Sequence, residues 1–195
     1  MQYLMTPHSG KIEPFVWWEG AFTSSELDWL QNKAKNATNK AQVGGNSGGG
    51  GAVNAQARRS EVDWLDNTPD TKWVFDKFAD VALRLNAEHY RFDLTGFGEP
   101  LQLTHYDQAD NGMYGWHQDY GTRVSRKLSM SLQLTNPSEY QGGDLQIMTS
   151  GTPMTLRKQR GFIAVFPSHV LHQVTPVTQG SRQSLVAWVS GPAFR

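Results

Sequence analysis

The sequence predicts a mainly β, α+β fold: a sandwich or jelly roll with N-terminal helices packed on one sheet. Three observations lead there. From Pro100 onward, short runs alternate apolar and polar residues with period two, the signature of half-buried strands. Before that point two segments place apolar residues at helical spacing. Finally, 195 residues without an internal repeat fit one domain over 1–195, long enough to bury roughly 70% of its unfolded surface without covalent staples.

The elements follow in order. Thr23-Ser24-Ser25-Glu26 reads as a capping box, with the Thr hydroxyl taking the Glu26 amide and Glu26 reaching back. Leu27, Leu30 and Ala34 continue the stripe, so a first helix spans about 24–36. Residues 41–57 carry no charge, and six of the eight residues from Gly44 to Gly51 are Gly. No hydrophobic face can form there, so the segment reads as a flexible loop. A phosphate-cradling loop would need Lys-Ser/Thr directly after the glycines, and Ala52-Val53 stand there instead. Ser60 to Leu65 reads as a strand. Thr68-Pro69 reads as a helix start, and Val74, Phe78, Val81 and Leu85 carry a second helix over about 69–88. Strands then follow at 101–106, 128–134, 143–148, 153–157, 161–166, 171–177 and 183–189, punctuated by Gly, Pro and Asn. In 128–134 the set Leu128, Met130, Leu132 and Leu134 should pack against the helices. Ser129, Ser131 and Gln133 then point the other way, toward solvent or toward a polar ligand.

Composition narrows the function classes. Lys+Arg 18 against Asp+Glu 18 removes the electrostatic argument for nucleic acid or an anionic membrane. No apolar run approaches the ~20 residues of a membrane span, and the N-terminal residues lack the pattern of a signal peptide. Zero cysteines exclude disulfides, thiolate metal sites and thiol nucleophiles, and suit a cytoplasmic protein.

The chemistry centres on Trp116-His117-Gln118-Asp119. In extended chain, residues i and i+2 point the same way, so His117 and Asp119 can present an imidazole and a carboxylate to one point. His172, in Leu171-His172-Gln173-Val174, is placed to supply a third ligand from another strand. Two His and one carboxylate form the facial triad of non-haem Fe(II) oxygenases, with open positions left over; zinc could use the same donors. Arg182 stands ten residues after His172 at the start of an apolar strand. A guanidinium there suits a partly buried anionic partner, such as a co-substrate carboxylate held in a fixed pose.

With these residues the sequence resembles the Fe(II)/2-oxoglutarate-dependent dioxygenases of the prolyl 4-hydroxylase type, including the PKHD-type hydroxylases of bacteria and phages. Arg59-Ser60-Glu61-Val62-Asp63-Trp64-Leu65 is similar to the family's R-x-S…W-L strand. Gln102 to Asp107 looks like its strand ending in a pocket Tyr, and Tyr114-Gly115-Trp116-His117-Gln118-Asp119 like its Y-x-x-H-x-D. Gly142-Gly143-Asp144-Leu145, Gly161 to Ser168, Leu171 to Val177 and Gly180 to Leu185 follow in the family's order. The likeness covers most of 59–190.

The resemblance implies a double-stranded β-helix in which His117, Asp119 and His172 hold Fe(II). It implies that Arg182 binds the distal carboxylate of 2-oxoglutarate, that Tyr106 hydrogen-bonds this co-substrate, that Trp188 walls the pocket, and that Gln133 adds a hydrogen bond. It implies O2 as co-substrate, ascorbate as an accessory reductant, and hydroxylation of an aliphatic C–H. Family halogenases lack the carboxylate that Asp119 supplies, so its presence argues for hydroxylation. The implied partner is a peptide or protein substrate, a prolyl residue first; a free amino acid or other small molecule is the alternative. A jelly-roll binding module that keeps a metal for structure is the reading from another class. The loop 41–57 precedes the Arg59-Ser60 strand and is either a lid over the site mouth or an inert insertion. Arg58, Arg59, Arg123, Arg126 and Lys127 read as solvated charges that could also attract an acidic substrate, with a structural or substrate-binding role open for Arg59. His8, His89, His105 and His169 receive no role; His105 should face away from Tyr106, and His169 should lie in a loop.

Overall fold

A computed structural model of the chain describes residues 13–43, 51–120 and 124–193. Residues 44–50 of the Gly-rich stretch, Arg123 and His8 lie outside them, so the lid expectation has no structural counterpart over 44–50.

The described chain is mostly β. In chain order the strands are β1 (Val16–Trp18), β2 (Asn39–Lys40), β3 (Arg58–Arg59), β4 (Glu61–Leu65), β5 (Gly96–Phe97), β6 (Leu101–Asp107) and β7 (Met113–His117). They continue as β8 (Arg126–Gln133), β9 (Tyr140–Gly142), β10 (Leu145–Thr149), β11 (Thr152–Thr155), β12 (Ile163–Pro167), β13 (His172–Val174) and β14 (Val177–Ser190). Two helices, α1 (Ser24–Lys35) and α2 (Lys72–Leu85), stand before the long strands.

The larger sheet runs β1-β12-β8-β14-β6-β4-β2, with β5 and β9 also pairing with β14. The smaller runs β11-β10-β13-β7-β3. The pairings are antiparallel, and among the paired strands of the described residues only β10 and β11 follow one another in the chain; β6 to β7 to β8 and β12 to β13 to β14 instead cross from one sheet to the other and back. Arg58–Arg59 in the smaller sheet leads directly into Glu61–Leu65 in the larger one.

The capping box of α1 forms as its residues dictate: the Glu26 amide donates to Thr23 Oγ1 at 3.3 Å, and the Thr23 amide donates to Glu26 Oε2 at 2.7 Å. The second helix starts three residues later than Thr68-Pro69 suggests. Thr71 takes the boundary position because its hydroxyl bonds the Asp66 carbonyl and the Thr68 amide, which holds 68–71 in turns. Its far end also stops short, at Leu85. A wider turn over Asn86–Tyr90 follows, closed by the Arg91 amide on the Asn86 carbonyl at 2.7 Å and by the Asn86 side chain bonding both backbone groups of Phe92.

The period-two pattern of β8 sorts its side chains. Leu128, Met130 and Leu132 are fully buried in one apolar cluster that also holds Leu27 and Leu30 of α1, Val74 and Phe78 of α2, and Leu103 and Leu185. Each such side chain contributes roughly 1.5–3 kcal/mol by leaving water. Ser129 and Ser131, one residue out of phase, line a cavity of about 450 Å³ reached by residues of both sheets. Among the described residues no helix is long and apolar enough to cross a membrane.

Candidate metal and oxo-acid site

His117 closes β7, and His172 opens β13 directly opposite it in the register. Strand pairing therefore brings two imidazoles together from positions far apart in sequence, with ring centroids 4.1 Å apart. Asp119 lies two residues past His117, where its backbone amide donates to the Ser168 carbonyl at 2.9 Å and turns the carboxylate back toward the rings. His117 Nε2 lies 3.7 Å from Asp119 Oδ1, and His172 Nε2 lies 3.5 Å from Asp119 Oδ2. One donor atom from each residue falls within 4.8 Å of the others.

The surroundings fix which atoms face inward. His117 Nδ1 sits 2.7 Å from the Gly115 carbonyl, and His172 Nδ1 sits 2.9 Å from the Val170 carbonyl. A carbonyl only accepts, so both Nδ1 atoms carry the proton and both Nε2 lone pairs are free for a metal. Ser129 Oγ donates to Asp119 Oδ2 at 2.7 Å, and Arg126 reaches the Asp119 carbonyl. Phe166 packs edge-on against His172, and Tyr114 stacks on His117 with centroids 3.4 Å apart.

Electrostatics favour ligation. Burial, reinforced by the neighbouring His172, drives His117 down to a pKa of about 4, so it is neutral near pH 7. Burial works against the Asp119 carboxylate, but the two imidazoles and hydrogen bonding outweigh it and hold the group below the usual carboxylate range. The Trp188 indole N–H favours that ionised form, yet it makes no hydrogen bond of normal geometry. Two imidazoles, the His117 one neutral, and a carboxylate, each oriented from behind, suit a divalent metal with positions left open toward the cavity.

Arg182, on β14, is 2% exposed and lines the same cavity. Its guanidinium reaches Ser184 Oγ at 3.3 Å and lies 5.5 Å over the Tyr106 ring, and among the described residues no carboxylate pairs with it. Gly143, at φ +59, passes so close that a Cβ there would lie 3.1 Å from Arg182 Cδ. Buried Thr104 Oγ1, also on the cavity wall, has no hydrogen-bond partner either. A buried cation without a carboxylate partner and an unsatisfied hydroxyl on the same cavity wall are costly and fit an anionic, hydrogen-bonding ligand.

Of the residues singled out in the sequence, His117, Asp119, His172, Arg182, Tyr106 and Trp188 line the cavity together. Gln133 does not; it borders a small void behind Arg182 and donates to the Tyr140 hydroxyl at 3.0 Å. His105 faces away from the site, toward Gln183, and His169 lies in a turn. Sequence reasoning missed four contributors. Arg126 is not a solvated charge: it pairs with both oxygens of Glu99, at 2.6 and 2.7 Å, and lies 3.9 Å over the Trp188 ring. Arg58 is 8% exposed and lines the cavity. Tyr114 backs His117, and Tyr140 stands beside Arg182.

Residues 101–190 match the family model of the 2OG-Fe(II) oxygenase superfamily. A PKHD-type hydroxylase of Idiomarina loihiensis is 36% identical over 91 residues, 46% of this chain and 41% of that protein. A PKHD-type hydroxylase of Teredinibacter turnerae is 26% identical over 158 residues, 69% of this chain and 70% of that protein. The chain thus spans about two-fifths of the first relative's length. Among solved structures, a Pseudomonas putida prolyl-4-hydroxylase superposes with a TM-score of 0.69 at 17% identity, over 92% of this chain and 94% of that one. A Trichoplax adhaerens prolyl hydroxylase, solved with a hypoxia inducible factor peptide fragment, gives 0.75 at 15% identity over 91% and 84%. At such identities the likeness is one of fold.

Proposed function

From the match of residues 101–190 to the 2OG-Fe(II) oxygenase superfamily we propose that the chain belongs to that superfamily and is a 2-oxoglutarate-dependent dioxygenase hydroxylating an aliphatic C–H, a peptidyl prolyl residue first. The reading includes a double-stranded β-helix with both helices packed against the larger sheet. His117, Asp119 and His172 hold Fe(II), Arg182 takes the distal carboxylate of 2-oxoglutarate, Tyr106 hydrogen-bonds that co-substrate, and Trp188 walls the site. A cytoplasmic setting supplies 2-oxoglutarate and reducing conditions, and ascorbate would restore Fe(II) after unproductive turnovers.

When bound, the metal, the oxo acid and O2 supply the oxidising power: 2-oxoglutarate loses CO2 and becomes succinate, taking one oxygen atom, while the other enters the C–H bond. The protein's own share is placement. The Gly115 and Val170 carbonyls set both imidazoles, and Ser129 aims the carboxylate. Arg182 and its serine fix one end of the oxo acid, and the two sheets screen the centre from bulk water. Gln133 acts one step back, through Tyr140.

The observation that carries the reading is a buried, acid-free Arg182 in the same cavity as a preoriented His-Asp-His set. The test is succinate formation from 2-oxoglutarate by Fe(II)-loaded protein, with and without proline-rich peptides. Wild type should turn over, and peptide should stimulate it. A folded, iron-loaded wild type that makes no succinate with any primary substrate favours the metal-holding binding module instead.

A further inference from the structure

Resting on that reading, and narrowing its substrate, we propose that Arg58 anchors a carboxylate of the primary substrate. Arg58 stands on β3, at the point where the chain crosses from the smaller sheet to the larger. Its side chain turns into the main cavity and is only 8% exposed. Nε donates to Ser60 Oγ at 2.8 Å, and Nη2 donates to Gln102 Oε1 at 2.9 Å. Both acceptors are neutral. Among the described residues no carboxylate pairs with Arg58, and the rest of its N–H fork has no hydrogen-bond partner. Removing a guanidinium from water without a counter-ion is costly, and a binding site for an anion is a common reason to retain one.

A charge inventory of the cavity separates this group from the others. Glu99 neutralises Arg126. The charges of a divalent metal, the Asp119 carboxylate and Arg182 are matched by the two carboxylates of 2-oxoglutarate. Arg58 then remains as the uncompensated positive charge among the described lining residues. Its position suits a substrate contact. The guanidinium lies 4.5 Å over the Tyr114 ring, whose other stacking partner is His117. An anion held at Arg58 is therefore one ring removed from the metal ligands, and a carbon a few bonds away from that carboxylate falls at the reacting centre. Trp64, 43% exposed, shares the cavity wall with Arg58 and Trp188 and leaves the rim open to a chain or ring. The carboxylate can come from the substrate's own terminus, as in a free amino acid, or from an acidic side chain beside the target residue. Both offer the planar two-oxygen acceptor that a guanidinium fork recognises.

The experiment is a binding titration by tryptophan fluorescence, on Mn(II)-loaded protein saturated with 2-oxoglutarate under nitrogen. The probes are L-proline against L-prolinamide, and a Glu-Pro-containing peptide against its Gln-Pro counterpart, both blocked at their ends. At least one acid should bind wild type about tenfold or more tightly than its neutral partner, and the pair that shows this names the source of the carboxylate. In Arg58→Gln that ratio should collapse toward unity, and in Arg58→Lys it should be partly kept. Equal affinity of acid and neutral partners for wild type overturns the proposal, as does an unchanged ratio in Arg58→Gln or no binding of any acid. The wild-type comparison stands even where a variant fails to fold. A role limited to supporting Tyr114 would leave the acid-to-neutral ratio unmoved. Succinate formation by iron-loaded wild type, measured separately, fails only if the oxygenase reading is wrong.

Discussion

The two faces of β8 differ by one residue step and by nearly everything else. Leu128 and Leu132 are sealed in an apolar cluster, which Met130 shares while also reaching the cavity wall, and Ser129 and Ser131 border the cavity, with Ser129 bonded to Asp119. Its neighbour β14 repeats the division, with Leu185, Ala187 and Val189 in the cluster and Arg182, Ser184 and Trp188 on the cavity wall. One backbone thus carries stability on one side and ligand chemistry on the other. Substitutions should separate by face: core changes lower the folded fraction, and cavity changes lower function in a protein that stays folded.

The sharpest break in that division is His117→Ala. Loss of one of the three proposed ligands should reduce succinate formation by about a thousandfold or more and abolish tight Fe(II) binding, while thermal unfolding of the metal-free protein stays cooperative. Calorimetry of the chelator-treated variant checks the second half. Leu132→Ala is the converse. A fully buried side chain is lost, so unfolding free energy should fall by roughly 2–5 kcal/mol in denaturant titrations, with turnover per folded molecule little changed.

The pH dependence follows from His117. Its folded pKa of about 4 lies below the ordinary 6.5, so between those values the unfolded chain binds a proton that the folded one refuses. Stability of the metal-free protein is therefore full above about pH 6.5 and falls as pH drops toward 4, by on the order of 3 kcal/mol. Asp119, held low, adds loss in the same direction at still lower pH. His117→Phe should flatten the profile between pH 6.5 and 4 in urea titrations.

Arg182→Ala should raise the 2-oxoglutarate requirement about 10- to 100-fold, the worth of a charge-assisted hydrogen-bonded pair, and steady-state kinetics with varied oxo acid reads it. The smallest effect belongs to Ser129→Ala. It removes the hydrogen bond behind Asp119 and should weaken metal affinity by about tenfold in a competitive chelator assay.

The sequence made these faces readable wherever a local period or a short motif governed them. Alternation in β6 and β8 marked those strands, the capping box marked α1, and His117 and Asp119 stood out because strand geometry points i and i+2 together, with His172 placed to join them from another strand. Features set by partners distant in sequence were not readable. Arg126 reads as solvated until Glu99, in the bend between β5 and β6, is seen to hold it over Trp188. Arg58 reads the same way until the crossing between sheets places it indoors. Thr68-Pro69 carries every local sign of a helix start, yet the Thr71 hydroxyl, tied back to Asp66, moves the boundary. Gln133 has the parity of a cavity residue but is claimed by Tyr140, which no period reveals.

The central claim, that this His-Asp-His set and Arg182 form one working oxygenase centre, is tested most directly by a single turnover. Protein loaded with Fe(II) and 2-oxoglutarate under nitrogen is exposed to O2, and succinate is counted against bound iron. The account predicts about one succinate per iron in wild type and almost none in His172→Ala. A wild type that binds iron and 2-oxoglutarate tightly yet releases no succinate would contradict it.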